Sequence, residues 1–590
     1  MIKKAGRDAK AMAEKIREIS ISEFFSKNRH LLGFDNPMKS LLTTVKEAVD
    51  NSLDACEEAL IMPVLTVKVD EIADGRFFVS VEDNGPGIIK THLPNIFGKL
   101  LYGSKFHRLK QSRGQQGIGI SAAVMYGQMT TGKASEVISK TKKSGPIHKI
   151  LLQIDTKKNA PQIISDKILK DEHWEQKDSG TKIAITLDGS YKDNRHGIAA
   201  YIRQTALANP HASFLFIDPK GTTHEFPRLL ENLPIEPKEI KPHPQGLELG
   251  VLMQFLHDAG NKTLLSFLTN EFSRVTDDLA KSICKLAGID PYMPARKASR
   301  TEAEAIFKAI AETKFMPPPT NCLSPIGEES MLKALYWFFV MANEQREEES
   351  DEDLALEEKT KEELPIIKKE KIGQKLDEIT KESKEAVLSE EEGYFVTAVT
   401  RPPAVYRGNP FQVEVGIFYG RSLPFDETVQ IFRYANRVPL QYQAAACAMT
   451  KAVASAPWKS YGISQAKGAL PLGPMVLMIS ISSVFVPYTS ESKEAVAHYP
   501  EIIKELRLAL MESGRRLSKF IAKRKRHFDE AKKRKVIEKY LSPIEEALID
   551  ILGSKISKES IANNLQAILE KSRAHKEVKL AERKIEVVER

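Results

Sequence analysis

Residues 47–54 read Glu47-Ala48-Val49-Asp50-Asn51-Ser52-Leu53-Asp54, inside a stretch whose apolar residues recur at helical spacing. Leu41, Val45, Ala48, Val49 and Leu53 fall on one side, which predicts an amphipathic helix from Pro37 to Leu60. Pro37 suits a first helical turn, and Pro63 stands just past the end. Glu47, Asp50, Asn51 and Asp54 lie at i, i+3, i+4 and i+7, which puts them on the face opposite the apolar stripe. Three acids and an amide side by side repel one another unless a cation or solvent relieves them. A solvated helix face is the plain reading of that pattern taken alone.

Strand-like runs follow at Leu65–Val69, Phe77–Val81 and Ile183–Leu187, so the first 240 residues predict a layered α/β domain. Directly after the second run comes Asp83-Asn84-Gly85-Pro86-Gly87, which is strong turn chemistry. Asp83 also offers an acceptor-only carboxylate to a base amino group, and Gly85 and Gly87 let a planar ring approach the backbone. Further on, Arg113-Gly114-Gln115-Gln116-Gly117-Ile118-Gly119-Ile120 places three glycines ahead of a helical pattern. Such a loop can cradle phosphate oxygens with its amides, although many turns contain it. No G-x-x-x-x-G-K-[ST] occurs in the chain.

Acidic helix, Asp-x-Gly-x-Gly, glycine-rich lid and the Gly180-Thr181 strand follow one another in that order. The chain thereby resembles the GHKL ATPases: gyrase-type topoisomerases, heat-shock chaperones, histidine kinases and MutL-type repair proteins. The resemblance implies ATP and Mg²⁺ as cofactors. It implies Glu47 as general base, Asn51 as the magnesium ligand, Asp83 on the adenine amino group, and Gly87 making room for the base. Ser104 and Lys105 would reach phosphate, Arg113, Gly114, Gln115, Gln116, Gly117, Ile118, Gly119 and Ile120 would wrap the phosphates, and Thr181 would support the adenine end.

Later blocks narrow the resemblance. Pro317–Gly327, Arg401–Phe411, Phe432–Leu440 and Trp458–Gly462 look like hallmarks of type IIB DNA topoisomerase (topoisomerase VI) B subunits. The similarity spans roughly residues 15–340 and 393–545. Its implied fold class is α/β multidomain: a strap (1–30), a Bergerat-type α/β sandwich ATPase (31–246), a small all-helical helix-two-turn-helix domain (247–315), an α/β transducer (316–500), and a charged helical C-terminal region (501–590). Lys459 resembles the transducer's switch lysine, a point charge that senses the γ-phosphate; Lys451 and Lys467 are weaker candidates. Implied partners are an A-type subunit in an A2B2 assembly, a second copy met through the ATPase domain on ATP binding, and double-stranded DNA. The A subunit would supply the cleaving tyrosine.

Composition fits these expectations. The 590 residues are 42% hydrophobic and 28% charged, with net charge +8. No apolar run reaches membrane-spanning length and no apolar h-region follows the basic N-terminus, so a cytoplasmic, nucleoid-associated protein is expected, with no membrane partner. Four scattered cysteines suit a reducing compartment. Residues 344–392 hold 19 acids against 9 bases and read as a charged insertion. Residues 511–540 hold 12 bases against 4 acids; a solvated face or contact with DNA or the A subunit, through Arg515, Arg516, Lys523, Arg524 and Lys525, would both account for them. Two rivals stay open: a MutL-type repair clamp, and a scaffold that binds nucleotide only to change shape.

Overall fold

The computed structural model describes residues 19–104, 108–114, 117–341, 386–389, 394–420, 423–490, 492–552, 563–564 and 567. The chain divides into two compact units, Met1–Arg516 and Leu517–Arg590. Of the expected strap, residues 19–30 are described and include helix α1 (Ile21–Lys27), capped by Ser20.

Helix α2 (Pro37–Glu58) starts where Asn36 accepts from the Lys39 amide at 2.8 Å, and ends at Ala59 ahead of a left-handed Leu60. Its expected apolar stripe is buried against an eight-stranded sheet. That sheet comprises β1 (Val64–Ala73), β2 (Arg76–Asp83), β3 (Ser135–Lys140), β4 (Ile147–Asp155), β5 (Ala160–Leu169), β6 (Gly180–Asp188), β7 (Ser213–Ile217) and β8 (Thr223–Phe226), in the order β5-β4-β3-β6-β2-β1-β7-β8. The β1–β7 pair is parallel and the other pairs antiparallel. Leu65, Val67 and Val69 alternate inward along β1, which fixes its register. Helices α3 (Leu93–Gly98), α4 (Gly119–Thr131), α5 (Glu172–Gln176) and α6 (Ile198–Ala208) complete this region.

Four helices follow: α7 (Leu249–Asp258), α8 (Leu264–Glu271), α9 (Asp277–Ala287) and α10 (Arg300–Glu312). They form a bundle with its own core around Phe267, Ile283 and Ile306. In α9 the buried side is Ala280, Ile283 and Cys284, while Leu286 is 60% exposed. Gly288 ends the helix in a left-handed cap.

Helix α11 (Glu328–Tyr336) leads to the second sheet. Its strands are β9 (Ala386–Ser389), β10 (Tyr394–Thr400), β11 (Ala404–Tyr406), β12 (Asn409–Gly420), β13 (Gln430–Ala435) and β14 (Val438–Pro439), with β15 (Ser464–Gln465) and β16 (Pro471–Leu472) forming a separate ribbon and β17 (Met475–Ser483) returning to the centre. Composition placed 386–389 in the charged insertion, yet these residues pair with β10. Most of the insertion lies outside the described residues. Helix α12 (Ala448–Ser455) precedes β15, and helix α13 (Pro500–Leu552) is the last long element. Apolar side chains of both sheets belong to one cluster, running from Val67 and Phe214 through Tyr336 and Phe338 to Val396 and Met478.

Candidate functional site

A cavity of about 340 Å³ opens along α2, lined by Glu47 and Asn51 one helical turn apart. The polar face expected on this helix is split. Asn51 is exposed to the cavity, but Asp50 and Asp54 are each 6% exposed and point inward. Each is buried because a donor meets it there: the Tyr201 hydroxyl donates to Asp50 at 3.1 Å, and Arg113 Nη1 donates to Asp54 at 2.8 Å. Burial pushes the Asp50 carboxyl up to about 6.

Asp83 lines the same cavity. Ser52 Oγ donates to its Oδ2 at 2.8 Å, while the amides of Gly85 and Thr181 donate to Oδ1 at 2.9 and 3.1 Å. Burial raises its pKa in spite of these three donors. Gly87 has φ +69°, and a Cβ there would stand 2.1 Å from the Lys140 carbonyl oxygen. Only glycine fits, because β3 lies directly alongside: the Ile88 amide donates to Ser139 Oγ at 2.7 Å.

The third wall is the glycine-rich segment. Gly114, Gly117, Ile118, Gly119 and Ile120 line the cavity, as do Ser104 and Thr181. Lys105, Gln115 and Gln116 lie outside the described residues. Helix α4 begins at Gly119, where among the described residues no side chain caps its first amides, a start that suits an anion. A Cβ at Gly119 would stand 1.7 Å from Glu47 Oε2, so the acid lies flat against the start of this helix.

Arg113 is placed differently from the expectation that it wraps phosphate. Its guanidinium is not in the cavity lining; it is 4% exposed and grips Asp54, Glu57 at 2.7 and 2.9 Å, and Asn209 at 2.5 Å. Two carboxylates compensate its burial, and they hold it well above the ordinary guanidinium range against the desolvation. It therefore anchors the root of the glycine lid to α2. Glu57 also meets His211 Nε2 at 2.7 Å and Arg437 Nη1 at 3.7 Å.

The second sheet contributes to the same cavity, through a lysine that the sequence does not single out. Lys493 and Glu494, from the segment after β17, are lining residues. Lys493 Nζ donates to the Arg113 carbonyl at 3.3 Å, and burial pulls its pKa down. Glu494 pairs with Lys39 of α2 at 2.5 Å. Lys459 is not among the lining residues. It is exposed on the short turn Trp458–Tyr461, whose indole is buried and donates to the Val453 carbonyl at 2.8 Å. Lys451 and Lys467 are exposed as well. A lone lysine in a polar loop has no spacing signature, whereas Trp-Lys-Ser-Tyr-Gly is conspicuous.

The cavity can hold a nucleotide by its base and its phosphates. The glycine cradle and the helix start suit phosphate, and the buried Asp83 suits a base amino group. Among the described residues no group of three or more His, Cys, Asp or Glu side chains can hold a metal unaided. Asn51 fits magnesium only if phosphate oxygens and water supply the further ligands.

Residues 38–190 match the family model described as histidine kinase-, DNA gyrase B-, and HSP90-like ATPase. Residues 371–534 match that described as topoisomerase VI B subunit, transducer. The B subunit of type 2 DNA topoisomerase 6 from Archaeoglobus fulgidus is 45% identical over 542 residues, which cover 92% of this chain and 80% of that one. Its namesake from Methanosarcina mazei is 41% identical over 572 residues, covering 94% and 83%. The Pyrococcus abyssi protein of the same name is 36% identical over 594 residues, covering 92% and 94%.

Proposed function

The chain belongs to the family of type 2 DNA topoisomerase 6 B subunits, and from that premise we propose how its residues drive the ATP cycle. It is the ATP-driven B subunit of a type II DNA topoisomerase, an isomerase, built from a GHKL-type α/β ATPase and a transducer. The observation that carries the cycle is Glu47 and Asn51 in the lining of one cavity with Asp83 and the start of α4.

In this reading Asp83 accepts from the adenine amino group, with Gly87 leaving space for the ring and Thr181 supporting that end. Gly114, Gly117, Ile118, Gly119 and Ile120 wrap the phosphates and Ser104 adds a hydroxyl; the roles of Lys105, Gln115 and Gln116 rest on the motif alone. Arg113 holds that lid down rather than touching phosphate. Asn51 would hold magnesium, which when bound supplies charge neutralisation for the phosphates. Glu47 orients the attacking water and takes its proton. Lys493, rather than Lys459, meets the γ-phosphate, because it is the lysine that the second sheet brings to the cavity.

The B-type assignment implies an A-type partner and a DNA substrate. The finer arrangement is an A2B2 heterotetramer. ATP brings two ATPase domains together and captures one duplex while the A subunits open another, so that supercoils relax and linked circles separate. No described helix is long and apolar enough to cross a membrane; a cytoplasmic, nucleoid-associated setting follows from the DNA substrate that the B-type family implies. Of the bases expected to reach DNA or the A subunit, Arg516 is already engaged, donating to the Ala398 carbonyl at 2.8 Å. The test is supercoil relaxation by the chain co-expressed with an A-type partner, with and without ATP. Relaxation only with both is the expected result; relaxation indifferent to ATP, or none with the partner, would count against the reading.

A further inference from the structure

Strands β13 and β14 are joined by two residues, Asn436 and Arg437, and Ala435 pairs with Val438 across them. Both have positive φ, +50° and +66°, the geometry of a tight type I′ hairpin. Such a turn favours Asn-Gly. An arginine at the second position is strained, and this one is also 3% exposed. Neither cost is explained by the hairpin itself, which a glycine would serve better.

The two side chains reach the root of the glycine-rich lid. Asn436 Nδ2 donates to the Ser112 carbonyl at 3.0 Å and to the Ser483 carbonyl at 2.9 Å, while its Oδ1 accepts from the Ser483 amide at 2.9 Å. One amide thus ties the end of β17 to the residue before Arg113. Arg437 Nη2 donates to Ser324 Oγ at 2.7 Å, and its Nη1 lies 3.7 Å from Glu57, the carboxylate that grips Arg113. The turn holds the lid root through the backbone of Ser112 and through the partner of Arg113.

We propose that Asn436 and Arg437 are positioning residues for ATP turnover, holding the root of the glycine lid from the second sheet, so that lid seating over the phosphates and placement of that sheet are a single equilibrium. The proposal rests on the ATPase reading. Lys493 reaches the same lid root from a different segment, through the Arg113 carbonyl, and is left unchanged in the test. Its physical content is that the strain at Arg437 is retained because a glycine there would remove the guanidinium that donates to Ser324 Oγ and the Pro325 carbonyl and that adds a second positive charge beside Glu57.

The test is Asn436→Gly in the full chain, since glycine keeps the left-handed backbone and removes only the amide. Affinity for a non-hydrolysable ATP analogue and for ADP is measured alongside kcat and thermal midpoint. The expected result is at least a fivefold loss in the ratio of analogue to ADP affinity, with kcat down about tenfold, because ADP keeps the base end and loses least from a loose lid. Equal weakening of both nucleotides in step with a lower midpoint would overturn the proposal in favour of a scaffolding role, as would an unchanged ratio. Should the glycine variant be too unstable to purify, Asn436→Asp keeps the acceptor for Ser483, faces the Ser112 carbonyl with a charge, and is read the same way. A wild-type chain that binds neither nucleotide would instead refute the ATPase reading.

Discussion

Lys493 Nζ donates to the main-chain carbonyl of Arg113 at 3.3 Å, across a sequence separation of 380 residues. An ammonium from the segment after the second sheet thus rests on the lid root while its side chain lines the nucleotide cavity.

Lys493→Ala is expected to lower kcat more than tenfold while leaving ADP affinity within about threefold, because the ammonium acts on the terminal phosphate. Lys459→Ala, on an exposed turn, should cost far less. Steady-state hydrolysis of both variants decides the matter; the reverse ranking returns the role to Lys459.

Glu47→Gln should bind nucleotide as the wild type does and lose turnover by about 10²–10⁴, the usual contribution of a positioned base. Calorimetric binding together with a phosphate-release assay separates the two effects. Hydrolysis at the wild-type rate would remove Glu47 from its role.

Gly119→Ala places a methyl group where the Glu47 carboxylate now lies, 1.7 Å from Oε2. Either the acid swings away or the start of α4 shifts, and both misplace the water. A loss of kcat of at least tenfold is expected, with a thermal midpoint that falls by a few degrees. A fully active variant would show that the close approach is not needed.

Arg113→Gln leaves Asp54 and Glu57 buried without their guanidinium, and should destabilise the chain by about 3–5 kcal/mol in denaturant unfolding. The pH dependence is also expected to change. Burial raises the Glu57 carboxyl, but the Arg113 guanidinium, His211 and Arg437 outweigh it and hold the pKa well below 4.5. A carboxylate depressed on folding stabilises fully above its unfolded value, and that contribution disappears as pH falls through the lower folded value. The wild type should therefore resist acid to below pH 4.5, and the variant should begin to lose stability at a higher pH. Coincident acid limbs would contradict this.

Much of the fold is legible in the sequence because its signals are local. Pro37, the apolar stripe and Pro63 bracket α2 to within two residues, and the alternation around Leu65–Val69 announces β1. Asn51, Asp83 and Gly87 are legible because motif order ties them to one chemistry, and the structure brings them to one cavity. What escapes depends on partners far away in the chain. Asp50 and Asp54 look like solvated acids until Tyr201 and Arg113 arrive 151 and 59 residues later. Arg113 looks like a phosphate ligand until Glu57 and Asn209 claim it.

The seam from Phe214 through Phe338 to Met478 makes the two sheets a weld rather than a hinge. Heating should melt them in one transition, while the four-helix bundle, with a separate interior, is free to lose order on its own. Motion driven by fuel is then expected as sliding within the weld rather than as one rigid plate swinging about a loose joint.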